Sequence, residues 1–168
     1  DKSTVSGNVH GMPLSAVCGL GPDCLIAYDR KIYTVDPAKV VIIGGRDIEP
    51  QEWVRLNESG VTVFTMEDVK RLGAGECAQR AIEIAGNATE GIHVSYDIDS
   101  MDPRIAPGVG TPVPEGLSLA EGYTIASEIA SSGKLLALDL VEVNPILDDR
   151  TKTARMACEL ATLMLNGK

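Results

Sequence analysis

Four short apolar runs of strand length, set apart by segments of helical length, restrict what this chain can fold into more than any other feature. Lys39–Ile43, Val61–Thr65, Ile92–Tyr96 and Leu135–Val143 read as strands. Stretches such as Val40-Val41-Ile42-Ile43 and Leu135-Leu136-Ala137-Leu138 are continuously apolar, the pattern of strands covered on both faces. Helical spacing marks Pro13–Leu20, Pro50–Ser59, Asp68–Leu72, Glu76–Gly86, Leu119–Ser131 and Lys152–Leu165. Ser118-Leu119-Ala120-Glu121 is a capping box, and Gly73 and Asn166-Gly167 supply stop signals. Strands joined by crossovers of helical length predict an α/β fold, three layers with a mainly parallel sheet between helices.

The 168 residues suffice for one hydrophobic core, and no repeat or low-complexity linker marks an internal boundary. The opening residues Asp1-Lys2-Ser3-Thr4-Val5-Ser6-Gly7-Asn8 are polar loop text, so the helix expected at Pro13 has no strand before it. The expectation is that residues 1–168 form the later, C-terminal portion of a single larger domain. Fifteen Lys plus Arg against 24 Asp plus Glu leave a formal charge of −9. Nucleic acid is a poor partner for such a chain, because phosphate contacts need clustered cations, and a membrane surface is excluded on the same ground. No apolar run approaches the ~18 residues of a membrane span, and no basic-plus-apolar leader is present, so a cytoplasmic location is expected. Cationic small molecules, metal ions and copies of itself remain as partners.

The four cysteines, at 18, 24, 77 and 158, form no C-x-x-C pair and read as buried thiols in a reducing compartment. His10 and His93 are the only histidines, too few for a zinc site of ordinary spacing. His93 lies inside a strand and is expected to be a satisfied core histidine. His10 sits in polar loop text between Asn8 and Gly11; a hydrogen-bonded structural histidine is its ordinary role, and proton transfer at neutral pH is the alternative.

Ligands of open parallel sheets collect beyond the carboxyl ends of the strands, and there the acids concentrate. Asp47 and Glu49 follow the first strand, Asp97 and Asp99 the third, and Glu142 ends the fourth. Any one of them has a solvated face as its ordinary role. Five carboxylates on one rim repel one another unless a cation compensates them. Asp97-Ile98-Asp99 can turn two carboxylates toward one ion where the strand runs out, and oxygen ligands favour hard cations such as Mg²⁺, Mn²⁺ or Ca²⁺. The loop Pro103–Pro114, with Ala106-Pro107-Gly108-Val109-Gly110-Thr111-Pro112, is stiff enough to hold such a site in place.

Four segments in order carry a resemblance: Ser6-Gly7-Asn8-Val9-His10-Gly11-Met12-Pro13, Ser95–Pro103 around the paired aspartates, Gly110-Thr111-Pro112, and Val141-Glu142-Val143-Asn144-Pro145. Together they resemble arginase, of the manganese ureohydrolases, over roughly its C-terminal half. The resemblance implies two Mn²⁺ ions, bridged by Asp97 with Asp99 as a ligand to one, and a hydroxide that attacks the guanidinium carbon of L-arginine. It implies proton transfer by His10, a guanidinium partner in Glu142 and a pocket hydroxyl in Thr111. Ser6 and Asn8 would meet the α-carboxylate, and Asp47 and Glu49 the α-amino group. It also implies a homo-oligomer, trimer or hexamer.

The sequence departs from the family pattern in three places. It contains neither the G-G-D-H nor the D-x-H-x-D metal element. Glu49 stands where Asp is frequent, and Ala120-Glu121 replaces an Arg-Glu pair used between subunits. Agmatinase or another ureohydrolase, and a non-catalytic ureohydrolase-like half, are the competing readings.

Overall fold

Side-chain caps set the starts of two helices in the core. In the computed structural model, which describes residues 7–28, 31–32 and 34–166, Thr65 Oγ1 accepts from the Asp68 amide at 3.1 Å. Asp68 Oδ2 in return accepts from the Thr65 amide at 3.1 Å. The capping box expected at Ser118 forms likewise: Glu121 Oε2 accepts from the Ser118 amide at 2.7 Å and Ser118 Oγ from the Glu121 amide at 3.3 Å. Each pair satisfies amides that a helix start otherwise leaves without partners.

In chain order the elements are α1 (Pro13–Val17), α2 (Asp23–Ile26), β1 (Ala27–Tyr28), β2 (Lys31–Ile32), β3 (Val41–Gly45), α3 (Pro50–Ser59) and β4 (Thr62–Thr65). There follow α4 (Met66–Leu72), α5 (Ala74–Ala85), β5 (Ile92–Asp97), α6 (Leu119–Ser132), β6 (Leu135–Val141) and α7 (Lys152–Leu165). The expected α/β alternation is present. α4 starts two residues before the expected Asp68, because Thr65 caps it. β6 stops at Val141, ahead of the expected Val143, because Glu142 takes a left-handed φ of +65° and leaves the pleat. The antiparallel pair β1–β2 was not expected, since two-residue strands leave no periodicity to read.

The chain divides into two compact units, Asp1–Val40 with Ile48–Thr62 and Val41–Asp47 with Val63–Lys168. In the first, Pro13 and Pro50 occupy the first turns of α1 and α3, where a missing amide proton costs nothing. Gly60 at φ +87° ends α3. In the second unit, α5 and α7 both pack on α6, α7 also meets β6, and α4 and α5 meet β3. Val69, Cys77, Ile98, Met101, Ala126 and Leu160 are fully enclosed in its core.

The strands form separate two-stranded sheets: β3 bonds β4, and β5 lies parallel to β6 from Ile92↔Leu135 to Asp97↔Val141. Ile92 and Tyr96 of β5 are buried, whereas His93, Ser95, Leu136 and Asp139 are exposed. The double cover expected from the apolar runs is therefore not provided for β5 and β6 among the described residues. His93 corrects the core-histidine expectation. It stands on the open face, its Nε2 3.1 Å from Oδ2 of Asp139, the diagonal neighbour on β6. The cysteines are corrected too: Cys77 is buried, but Cys24 and Cys158 are exposed and Cys18 lies between, all as free thiols.

Packing and capping should separate in their energetic weight. Leu160→Ala empties a fully buried site and is expected to cost about 2–5 kcal/mol. Ser118→Ala removes one cap and should cost about 0.5–2 kcal/mol. Denaturant midpoints of the two variants check this, and a larger loss for Ser118→Ala would contradict the placement of the core at Leu160.

Candidate functional site

The parallel register of β5 and β6 puts Asp97 opposite Val141, the last residues of the two strands. Glu142, one residue further, thus leaves the sheet beside Asp97 at the carboxyl end. The chain then turns through Ile98–Ser100 around the enclosed side chain of Ile98. This turn is closed from both ends: Asp97 Oδ1 accepts from the Asp99 amide at 3.0 Å, and Ser100 Oγ donates to the Asp97 carbonyl at 2.6 Å. The two aspartates consequently flank the buried Ile98.

Partial burial pushes the Asp97 carboxyl up to about 6, and the charges of Asp99 and Glu142 add to the rise against the opposing Asp99 amide. Burial beside two other acids disfavours the charged form of Asp97 unless a cation compensates it. Thr111 Oγ1 donates to Asp99 Oδ2 at 3.2 Å, which joins the proline-rich loop to the aspartates. Arg46, the residue after β3, joins them from the other direction. Its Nη2 donates to the Asp99 carbonyl at 2.6 Å and to the Val113 carbonyl at 3.0 Å, and its Nε to Val113 at 3.3 Å.

The loop itself is held by side chains that turn inward. Asp102, 5% exposed, accepts from the amides of Arg104 and Glu115 and from the Arg104 guanidinium, Nε at 2.7 Å. Thr153 Oγ1, at the start of α7, accepts from the Gly108 amide at 2.8 Å, and the Gly108 carbonyl accepts from Asn144 at 2.7 Å. Asp148 caps α7 through the amides of Thr153 and Ala154. A Cβ on Gly108 would stand 2.6 Å from the Asp148 Cβ and 2.9 Å from its Cα, so glycine alone fits there. The segment that follows Glu142 is thereby tied to the loop that carries Thr111.

The structure brings Asp97, Asp99, Thr111 and Glu142 together in the second unit, with exposed Asp47 following Arg46. Asn8, His10 and Glu49 belong to the first unit, all exposed. His10 lies in the turn Val9–Gly11, and Glu49 precedes Pro50 at the start of α3. Ser6 lies outside the described residues. Arg46 and Asp102 were not singled out by the sequence. Arg46 stands alone after Gly44-Gly45, and Asp102 is marked only by following the D-x-D.

Oxygen donors at Asp97 and Asp99 suit a hard divalent cation. Among the described residues, no three His, Cys, Asp or Glu side chains gather as a metal cage.

The family model described as the arginase family matches residues 1–166. The chain belongs to the arginase family. It is similar to the arginase of Bacillus subtilis (strain 168), 38% identical over 167 residues, covering 99% of this chain and 56% of that protein. Among solved structures, the native arginase from Bacillus caldovelox superposes with a TM-score of 0.95 at 38% identity, over 99% of this chain and 56% of that one. The Entamoeba histolytica arginase in complex with L-ornithine has a TM-score of 0.88 at 34% identity, over 98% and 55%. The chain thus spans about half the length of the arginases it matches, and it shares their α/β fold. Among the described residues no helix is long and apolar enough to cross a membrane.

Acid titration should expose the loop anchor of this arginase-family chain. Hydrogen bonds from Arg104, then from backbone amides, lower the Asp102 carboxyl from 3.8 to about 2. A depressed acid stabilises the folded state above its unfolded value, and that contribution fades as the pH falls from 3.8 through about 2. Asp102→Asn is therefore expected to lose stability at neutral pH, with the gap to the unmutated protein narrowing across that interval. Denaturant midpoints against pH measure it, and a gap independent of pH would remove Arg104 as the source.

Proposed function

We propose that this chain is the C-terminal part of an amidinohydrolase that converts L-arginine and water to L-ornithine and urea. The observation that carries the proposal is the register-paired delivery of Asp97 and Glu142 to one sheet end in a chain of the arginase family. The ornithine-bound relative supports the substrate. In this reading Asp97 and Asp99 would hold Mn²⁺, together with ligands supplied elsewhere in the full-length protein. When bound, the ions supply a nucleophilic hydroxide at neutral pH.

The chain's own side chains do the rest. Glu142 pairs with the substrate guanidinium and orients its carbon. Thr111, already bonded to Asp99, lines the pocket beside it. His10, exposed in the turn Val9–Gly11, carries a proton to the leaving amine. Ser6 and Asn8 take the α-carboxylate, and Asp47 and Glu49 the α-amino group. We assign the whole protein a cytoplasmic location and a homo-oligomeric state, trimer or hexamer. Glu121, spent on the Ser118 cap, is then less available as a subunit contact.

Two substitutions in the full-length protein separate the assigned roles. Asp97→Ala is expected to abolish both Mn²⁺ binding and urea release. Glu142→Gln should retain the metal while impairing arginine use. Metal analysis beside kinetics on both variants decides the matter, and equal Mn²⁺ loss would dissolve the division.

Agmatine keeps the guanidinium and lacks the α-carboxylate, so discrimination must come from the far end of the pocket. Hydrogen bonds to a charged group contribute about 1.5–3 kcal/mol, so the two α-carboxylate contacts assigned to Ser6 and Asn8 are expected to give a preference for arginine of roughly 10²-fold, since 1.4 kcal/mol is tenfold. Asn8→Ala should narrow that gap by weakening arginine use more than agmatine use. The readout is kcat/KM for both substrates in both proteins, and comparable values in the unmutated enzyme would favour a broader ureohydrolase.

A further inference from the structure

Arg46 has no part in the chemistry above, yet it makes three hydrogen bonds at the centre of the site. A guanidinium among carboxylates would ordinarily form an ion pair. Arg46 instead donates to two neutral main-chain carbonyls, of Asp99 at 2.6 Å and Val113 at 3.0 and 3.3 Å. The Asp99 backbone is thus pinned on both sides: its amide bonds Asp97 Oδ1 at 3.0 Å, and its carbonyl bonds Arg46. Val113 closes the segment whose Thr111 hydroxyl reaches Asp99 Oδ2.

We infer that Arg46 is a positioning residue, clamping the Asp99 and Val113 main chains so that the Asp99 carboxylate and Thr111 hydroxyl keep one geometry. The inference rests on the metal-ligand role proposed for Asp99. Bonding to carbonyls fixes the ligand's backbone without consuming carboxylate charge, which stays directed at the cation. The fork is essential to this action. Nε and Nη2 serve two carbonyls at once from a planar group, whereas a lysine ammonium on a flexible stem is a point donor. Partners that orient metal ligands in this way typically contribute 10–100-fold in metal affinity or activity.

The experiment uses the full-length protein, with Mn²⁺ titrated into metal-free enzyme by calorimetry and L-arginine kinetics on the loaded enzyme. Arg46→Lys and Arg46→Met are expected to weaken one of the two Mn²⁺ sites by about 10–100-fold, with a fall in kcat and little change in KM. Asp99→Asn should weaken the same site, and combining it with Arg46→Lys should add little further, as for residues acting as one unit. If Arg46→Met fails to fold, Arg46→Lys, which keeps the charge, decides. Unmutated Mn²⁺ affinities in the Arg46 variants, or full additivity with Asp99→Asn, would overturn the inference while leaving the arginase reading intact. An unmutated protein that neither binds a Mn²⁺ pair nor hydrolyses arginine would overturn both.

Discussion

The parallel register between β5 and β6 is the constraint from which the site follows. Because Asp97 faces Val141, the residues after both strands emerge together, and each strand brings its own carboxylate to the same place. Strand side chains alternate with a period of two, so a slip of one residue would send Asp97 to the opposite face. The same register also explains the electrostatic cost. Asp97 is partly buried with Asp99 and Glu142 close by, and its carboxyl rises to about 6 as a result. The apolar core holds together charges that would otherwise push one another apart.

Around that pair, the loops are immobilised by bonds to main chain more than by bonds between charges. Arg46 holds two carbonyls, Asp102 gathers two amides and a guanidinium, and Thr153 takes the Gly108 amide. Buried polar groups with full sets of partners rigidify what they touch. Among the described residues, no buried side-chain nitrogen or oxygen lacks a hydrogen-bond partner. A proline-rich segment that would be surface filler elsewhere is thereby made part of a preorganised wall.

The family assignment and the chain's own chemistry meet at the end of the β5–β6 pair. Two aspartates fit a hard cation, no described trio completes a cage, and the arginases matched are nearly twice as long as this chain. The features that belong to residues 1–168 are correspondingly those of the sheet end: the aspartate pair, Glu142 and the loop carrying Thr111.

Much of this was legible in the residues themselves, wherever the determining contacts are local. The Ser118 cap, the proline at the start of α3, the limits of α7 and the turn at Asp97-Ile98-Asp99 all depend on neighbours within one helical turn, and they appear where the spacing puts them. The ordered motifs likewise identified the family without coordinates. Other features depend on packing. Arg46 reaches carbonyls 53 and 67 residues away along the chain, and Gly108 needs its missing Cβ because Asp148 lies against it. His93 sits in an apolar run yet faces outward. No local period encodes such contacts, because they arise only when distant segments are brought together, and that meeting is decided by the burial of the whole core.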